Sequence, residues 1–280
     1  MVRTNLTDFT YGWGNQQDFC KSGSLYDEHG EFQYMIIADG HGIGNIVSVL
    51  KNNDFPWRDI LIQPTSIMIS QTIINYLIYY GVLNESTYDG STISIVKIYS
   101  DFVHLMWIGD SKIHVFLNGN SHFLTPPHNC SNQTEVKTFD RRNCEFKDSW
   151  ELNQIDSNKM EKIKARKIVI NNEENTPLTR CLGHNRKLNE TFQEERIYFN
   201  KEDKVDIIGA SDGFWDVAGI SLDYPLMVSK NTTARDLCKL AVKRWKQPWI
   251  YYPSNKTQRP YTQSFPRESY DDIAVTVWHN

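Results

Sequence analysis

Gln33-Tyr34-Met35-Ile36-Ile37-Ala38 runs without a break into Asp39-Gly40-His41-Gly42. A short, nearly unbroken apolar run that ends at a turn signal has the length and composition of a buried strand. Asp39 stands at its polar end. Two more aspartates stand the same way. Asp212 closes the run Ile207-Ile208-Gly209-Ala210-Ser211, and Asp271 opens Asp272-Ile273-Ala274-Val275. A strand end holds a carboxylate rigidly. Three such carboxylates meeting at one place would make a nest for hard divalent cations, which prefer oxygen ligands. The chemistry expected of such a nest is metal-dependent hydrolysis of a phosphate ester.

The chain has 280 residues, enough for a full core in one large domain or two small ones. Hydrophobic residues make up 40% and charged residues 23%, which is ordinary for a folded globular protein and excludes a disordered one. The net charge of −4 leaves no sequence-wide basic field, so no nucleic-acid partner is expected. No apolar stretch approaches 18 residues, and Met1–Asp8 has no apolar signal core. The expectation is an intracellular protein that keeps off membranes. Five scattered cysteines with no Cys-x-x-Cys pair support neither a zinc site nor a disulfide framework. Sequons such as Asn189-Glu190-Thr191 read as chance products of an Asn-rich chain. Eight histidines in no His-x-His or His-x-x-x-His pattern argue against a His-rich metallohydrolase.

Periodicity gives the layout. Helical spacing of Ile67, Ile74, Leu77 and Ile78 predicts a helix over 64–80, with Pro64 in its first turn and Gly81 closing it. Strands are predicted over 91–99, 102–108, 112–117 and 121–124, joined by tight turns, which argues for antiparallel sheet. The polar stretch 130–175 reads as a surface insertion, a flap-like segment with a helix around 158–166. A strand over 204–210, an amphipathic helix over 233–246 with Leu237, Leu240, Ala241 and Trp245 on one face, and a strand over 272–278 complete the pattern. The proline-rich 247–266 reads as loop. With no repeat or long linker, 1–280 is expected to be a single domain, α+β, of central sheets flanked by helices.

Each aspartate turn alone is weak, since Asp-Gly turns are common at strand exits. Further signals accompany them in order: Asp89-Gly90-Ser91-Thr92, Gly109-Asp110-Ser111-Lys112, Leu124-Thr125-Pro126-Pro127-His128, Thr179-Arg180-Cys181-Leu182-Gly183 and Ser211-Asp212-Gly213-Phe214-Trp215-Asp216. From about Gly12 to Val277 this collinear set resembles the metal-dependent protein phosphatases, the PPM or protein phosphatase 2C family.

The resemblance implies a four-layer α-β-β-α sandwich of two antiparallel sheets flanked by helices. It implies a centre of two Mg²⁺ or Mn²⁺ ions, with a weaker third in some members, that activates a water to hydrolyse phosphoserine or phosphothreonine in a phosphorylated protein substrate. By the same resemblance Asp39 is the bridging ligand and Gly40 a backbone-carbonyl ligand. Asp212 and Asp271 complete the first metal, Asp110 serves the third, His41 is the general acid and Arg180 contacts substrate. A monomer is expected. The chain also departs from the pattern. Gln17 stands where the family has an acidic ligand, which weakens the second metal unless Asp18 substitutes. No arginine occurs in Tyr11-Gly12-Trp13-Gly14 to grip the phosphate, a contact that a guanidinium makes with two parallel hydrogen bonds. His184 follows Leu182-Gly183 in place of an aspartate, Asp272 stands for an asparagine and Ile43 for a glycine. The rival expectation is a pseudophosphatase, the same fold used as a binding module.

Overall fold

The computed structural model describes residues 5–280 except 14–15, 85–86, 130–131, 137–144, 155–161, 171–172, 176–177, 179, 184–190, 220, 254–258 and 260. The chain opens with β1 (Asn5–Tyr11), β2 (Asp18–Asp27) and β3 (Gly30–His41). Three helices follow: α1 (Asn45–Leu50), α2 (Trp57–Leu61) and α3 (Ser66–Tyr79). Two hairpins come next, β4 (Gly90–Ile98) with β5 (Phe102–Ile108) and β6 (Lys112–Leu117) with β7 (Asn120–Leu124). Then come α4 (Gln133–Val136), β8 (Glu145–Gln154), β9 (Lys162–Ile170), β10 (Glu173–Asn175) and β11 (Leu182–Gly183). The last part holds β12 (Gln193–Tyr198), β13 (Val205–Ala210), α5 (Asp212–Trp215), α6 (Tyr224–Met227), α7 (Ala234–Lys246), β14 (Pro248–Pro253), β15 (Tyr261–Ser264) and β16 (Ile273–His279).

Two antiparallel sheets carry the fold. One has the order β1-β16-β13-β6-β7, the other β12-β5-β4-β3-β2 with β11 added to β4. Side-chain alternation explains why their central strands read as unbroken apolar runs. Met35, Val96, Leu105, Trp107, Val115 and Ile207 point between the sheets and pack together. Their neighbours Ile36, Ala38, Ile95 and Met106 point outward, under α1, α2 and α3. On the other sheet Phe116, Ile208 and Val275 point outward, under α5 and α7. With both faces covered there is no polar face to alternate with. Each large aliphatic or aromatic side chain so buried contributes roughly 1.5–3 kcal/mol. The result is the expected α+β sandwich with helices on its outside.

Both long helices are set by their caps. Thr65 accepts from the Met68 N–H at 3.2 Å, so α3 begins at Ser66 and Pro64 stands outside it. α7 starts with a capping box in which Thr233 and Asp236 satisfy each other's backbone N–H. The stripe expected of α3 is corrected. Ile69, Ile73, Ile74 and Leu77 are buried, whereas Ile67 and Ile78 face solvent. α3 is apolar nearly all round, so packing on the sheet, not spacing, selects the buried side.

Two further expectations are overturned. Strands β8, β9, β10, β14 and β15 form a third antiparallel sheet of order β10-β9-β8-β14-β15. The helix expected around 158–166 lies partly outside the described residues, and from Lys162 onward that stretch is strand β9. The loop expected over 247–266 contains β14 and β15, which pair from Pro248↔Ser264 to Tyr251↔Tyr261. Ladder pairing with the insertion supplies the hydrogen bonds that a proline-flanked stretch cannot provide for itself. No described helix is long and apolar enough to cross a membrane.

Candidate metal centre

Sheet register delivers the first acids. β2 and β3 pair Asp18 with Asp39, and β3 and β4 pair Asp39 with Thr92. Counting in twos from Met35 places Asp39 on the face between the sheets. Its N–H donates to Thr92 Oγ1 at 3.2 Å, and the Thr92 and Ser111 hydroxyls share a hydrogen bond of 2.6 Å. Ser94 Oγ donates to the Ser111 carbonyl at 2.7 Å. These bonds hold the β5–β6 turn, and with it Asp110, against the end of β3. Gly109 makes the turn possible. Its φ is +101°, and a Cβ there would meet the Thr92 side chain at 2.5 Å.

The other sheet brings the remaining acids. Ser211 follows β13 and stands at the N-cap position of α5. It exchanges backbone and side-chain bonds with Ala274, each at 3.0 Å, and donates from Oγ to Asp18 Oδ2 at 2.6 Å. Asp212 then opens α5 beside Asp271. A Cβ on Gly213 would lie 1.9 Å from the Asp272 carbonyl oxygen, so only glycine lets the two acid-bearing turns touch. Asp272 fixes the chain on the far side by accepting from the Trp13 N–H at 2.7 Å and the Gln17 N–H at 2.8 Å.

Carboxylate oxygens of Asp39, Asp110 and Asp212 all lie within 4.8 Å of one another. The Asp18 carboxyl adjoins that of Asp39, and the Asp271 carboxyl adjoins that of Asp212. Burial raises Asp39 and Asp212 well above the usual carboxylate range, and each is raised further by its acidic neighbours. Burial likewise pushes Asp18 up to about 7, against the lowering bond from Ser211. Displacement of water by the surrounding protein raises Asp110 and Asp271 too. None of these five acids has a salt bridge among the described residues. The nearest cations act on them only through the field, Lys51 on Asp18 and Lys112 on Asp110. Oδ1 of Asp110 and Oδ1 of Asp212 are buried with no hydrogen-bond partner. Crowded hard oxygens, two of them unpartnered, suit a hard divalent cation.

The expected site residues sort as follows. Asp39 and Asp212 are together. Asp110, expected at a weaker outlying ion, stands with them, and Asp271 is beside Asp212. Asp18 is buried against Asp39. Gln17 donates from Nε2 to the Gly42 carbonyl at 2.7 Å, and its own carbonyl accepts from the Gly40 N–H at 3.1 Å. His41, half-buried, is the last residue of β3 and pairs with Gly90. The contacts found for Arg180 are with Glu135 at 2.8 Å and Gln193 at 3.3 Å. Gln193 in turn bonds His128, whose Nδ1 accepts from the Gly109 N–H at 3.0 Å. Arg180 therefore braces the Asp110 turn through intermediates. His184 lies outside the described residues. Sequence reasoning missed Thr92, Ser111 and Ser211 as the residues that fix the acids, although all three sit in the quoted motifs.

Comparison with solved structures bears on the fold. The chain is similar over its whole length to the serine/threonine phosphatase Stp1 from Staphylococcus aureus, at 14% identity, with 96% of that chain covered and a TM-score of 0.59. It is similar to the serine/threonine phosphatase of S. agalactiae at 16% identity, with 99% of each chain covered and a TM-score of 0.57. It also resembles the PPM Ser-Thr phosphatase MsPP from Mycobacterium smegmatis, a structure in complex with cacodylate. There the identity is 14%, the coverage 99% of this chain and 97% of that one, and the TM-score 0.54. No protein-family model matches the chain, and no curated protein does. The fold is that of the PPM-type serine/threonine phosphatases.

Proposed function

We propose that this chain is a metal-dependent phosphatase that hydrolyses phosphoserine and phosphothreonine in proteins. The observation that carries the reading is the meeting of Asp39, Asp110 and Asp212 oxygens within 4.8 Å, with no salt-bridging cation among the described residues, on this fold. Asp39, Asp110 and Asp212, with Asp271 and Asp18 beside them and the Gly40 carbonyl at the strand end, would hold two Mg²⁺ or Mn²⁺ ions. Bound there, such ions lower the pKa of a water and neutralise phosphate oxygens. The chain's own part is to supply fixed negative charge from rigid strand ends. The Gln17–Gly42 and Asp272–Trp13 bonds keep the neighbouring loops in place. His41 would give its proton to the leaving alkoxide, a role suited to an imidazole near neutral pH.

Gln17 favours one second reading. An amide at that position carries no charge to hold a second ion, which motivates a metal-binding module without turnover. Hydrolysis of p-nitrophenyl phosphate and of a phosphothreonine peptide, with and without Mn²⁺, separates the two. The phosphatase reading expects Mn²⁺-dependent turnover that Asp212→Ala abolishes. Calorimetric Mn²⁺ binding with a rate no higher than that of Asp212→Ala would select the binding module.

A further inference from the structure

Between β1 and α7 lies a groove of about 520 Å³ that none of the clustered aspartates lines. Phe9 and Tyr11, which point outward from β1, line it together with Val242 of the helix. Cys238 lines it too, and burial pushes that thiol up to about 12, so it stays neutral and apolar. The rim is cationic. Arg235, Lys239, Lys243 and Lys246 recur at roughly one per helical turn on the side of α7 opposite its buried Leu237, Ala241 and Trp245. Lys239 is shared with Asp236 at 3.5 Å, and Asp236 is itself engaged in the capping box. Arg235, Lys243 and Lys246 have no ion pair among the described residues.

The cations are held over ring faces. The Arg235 guanidinium lies 4.8 Å from the Phe9 ring centre, and Lys246 Nζ lies 5.2 Å from that of Trp13. Four cations gathered on one helix flank, in a chain of net charge −4, select an anionic occupant. The apolar floor selects one that also offers a hydrophobic side chain. Rings already covered by cations are poorly placed to stack bases, and the net negative chain repels a long polyanion. Arg235 to Lys246 spans about 16 Å of helix, the reach of about five extended residues.

We propose that this groove docks an acidic peptide segment of a partner protein, its carboxylates on the Arg235–Lys246 rim and one apolar side chain on Phe9, Tyr11 and Val242. The groove does not require the aspartate cluster to be catalytic. At the Lys246 end it meets Trp13, which lines the small cleft containing Asp271 and Asp272, so a docked segment would lie beside the acidic centre.

Fluorescence anisotropy with fluorescein-labelled Asp-Glu-Leu-Asp-Glu-Asp at low salt tests this. Saturable binding is expected, weakened at least 10-fold in the Lys243→Glu/Lys246→Glu double variant at an unchanged melting temperature. Replacing the leucine of the peptide by serine should weaken binding about 5-fold, and Lys201→Glu, on the β12–β13 loop, should leave it within 2-fold. The proposal is overturned by absence of saturable binding, by undiminished binding to the double variant, or by a thymidine oligonucleotide of equal charge that binds as tightly as the peptide. Should the double variant melt early, Val242→Asp takes its place, with the same 10-fold loss required.

Discussion

Asp223 and Asp39 are both carboxylates withdrawn from water, and the chain treats them in opposite ways. Asp223 meets Arg244 through a two-pronged contact, one prong at 2.7 Å, and the same guanidinium also donates to the Val217 carbonyl. Asp206 has His279 at 2.7 Å and Lys204 at 3.2 Å, and Asp27 has Lys97 at 3.5 Å and the Tyr99 hydroxyl at 2.6 Å. Asp39 faces Asp18, Asp212 and Asp271 instead. A buried acid with an internal partner belongs to the architecture. A cluster of buried acids whose charges raise one another is destabilising by itself, and an external cation is the natural source of the missing charge.

The largest effect should come from breaking the compensated group. Arg244→Ala strands Asp223 and is expected to cost about 3–5 kcal/mol, read from urea midpoints. A loss under about 1 kcal/mol would erase the contrast. The next effect comes from filling the uncompensated group. Mn²⁺ at about 100 times its Kd should add about 2.7 kcal/mol and raise Tm by several degrees. A Tm that ignores Mn²⁺ would mean that the acids collect no ion.

Asp39→Asn should act with opposite signs on two readouts. Without metal it should stabilise the fold by about 1 kcal/mol, because an acid no longer has to be buried among acids, while Mn²⁺-dependent turnover disappears. Destabilisation with turnover retained would contradict both halves.

The last effect is a pH dependence. Asp18 titrates at about 7 in the fold against an ordinary 3.8, so the folded state holds its proton longer than the unfolded one does. Its contribution to stability is complete below about pH 4 and is lost as the pH rises to about 7. In metal-free protein, Asp18→Asn should therefore gain progressively on the wild type across that window. His114, which burial lowers to about 4, shifts both proteins alike and cancels in the difference. A difference that stays flat between pH 4 and 7.5 would show that Asp18 is not held protonated.

The strands that carry the acids were legible because they are covered on both faces, so 33–38 and 207–210 read as plain apolar runs. The third sheet was not. Its strands 145–154 and 162–170 are rich in charge, and polarity read as loop or helix where ladder pairing with 248–253 decides the matter. Asp39, Asp212 and Asp271 could be picked out because strand ends show in sequence. Asp18 stayed open against Gln17, since its partner Ser211 lies on the other sheet and no local pattern links them. The closeness of Asp110 to Asp39 rests on the hydroxyl bridge from Thr92 to Ser111, a tertiary contact between two unremarkable side chains.

β16 sits between β1 and β13, and Asn5 pairs with His279. During synthesis β1 thus emerges without its sheet neighbour, and must wait tens of seconds at roughly 5–20 residues per second for it. Until then Asp271 has not reached Asp212, and the acidic cluster is incomplete. A cation site that used Asp271 would therefore form only after the exposed β1 had passed through the interval in which chaperones would shield it.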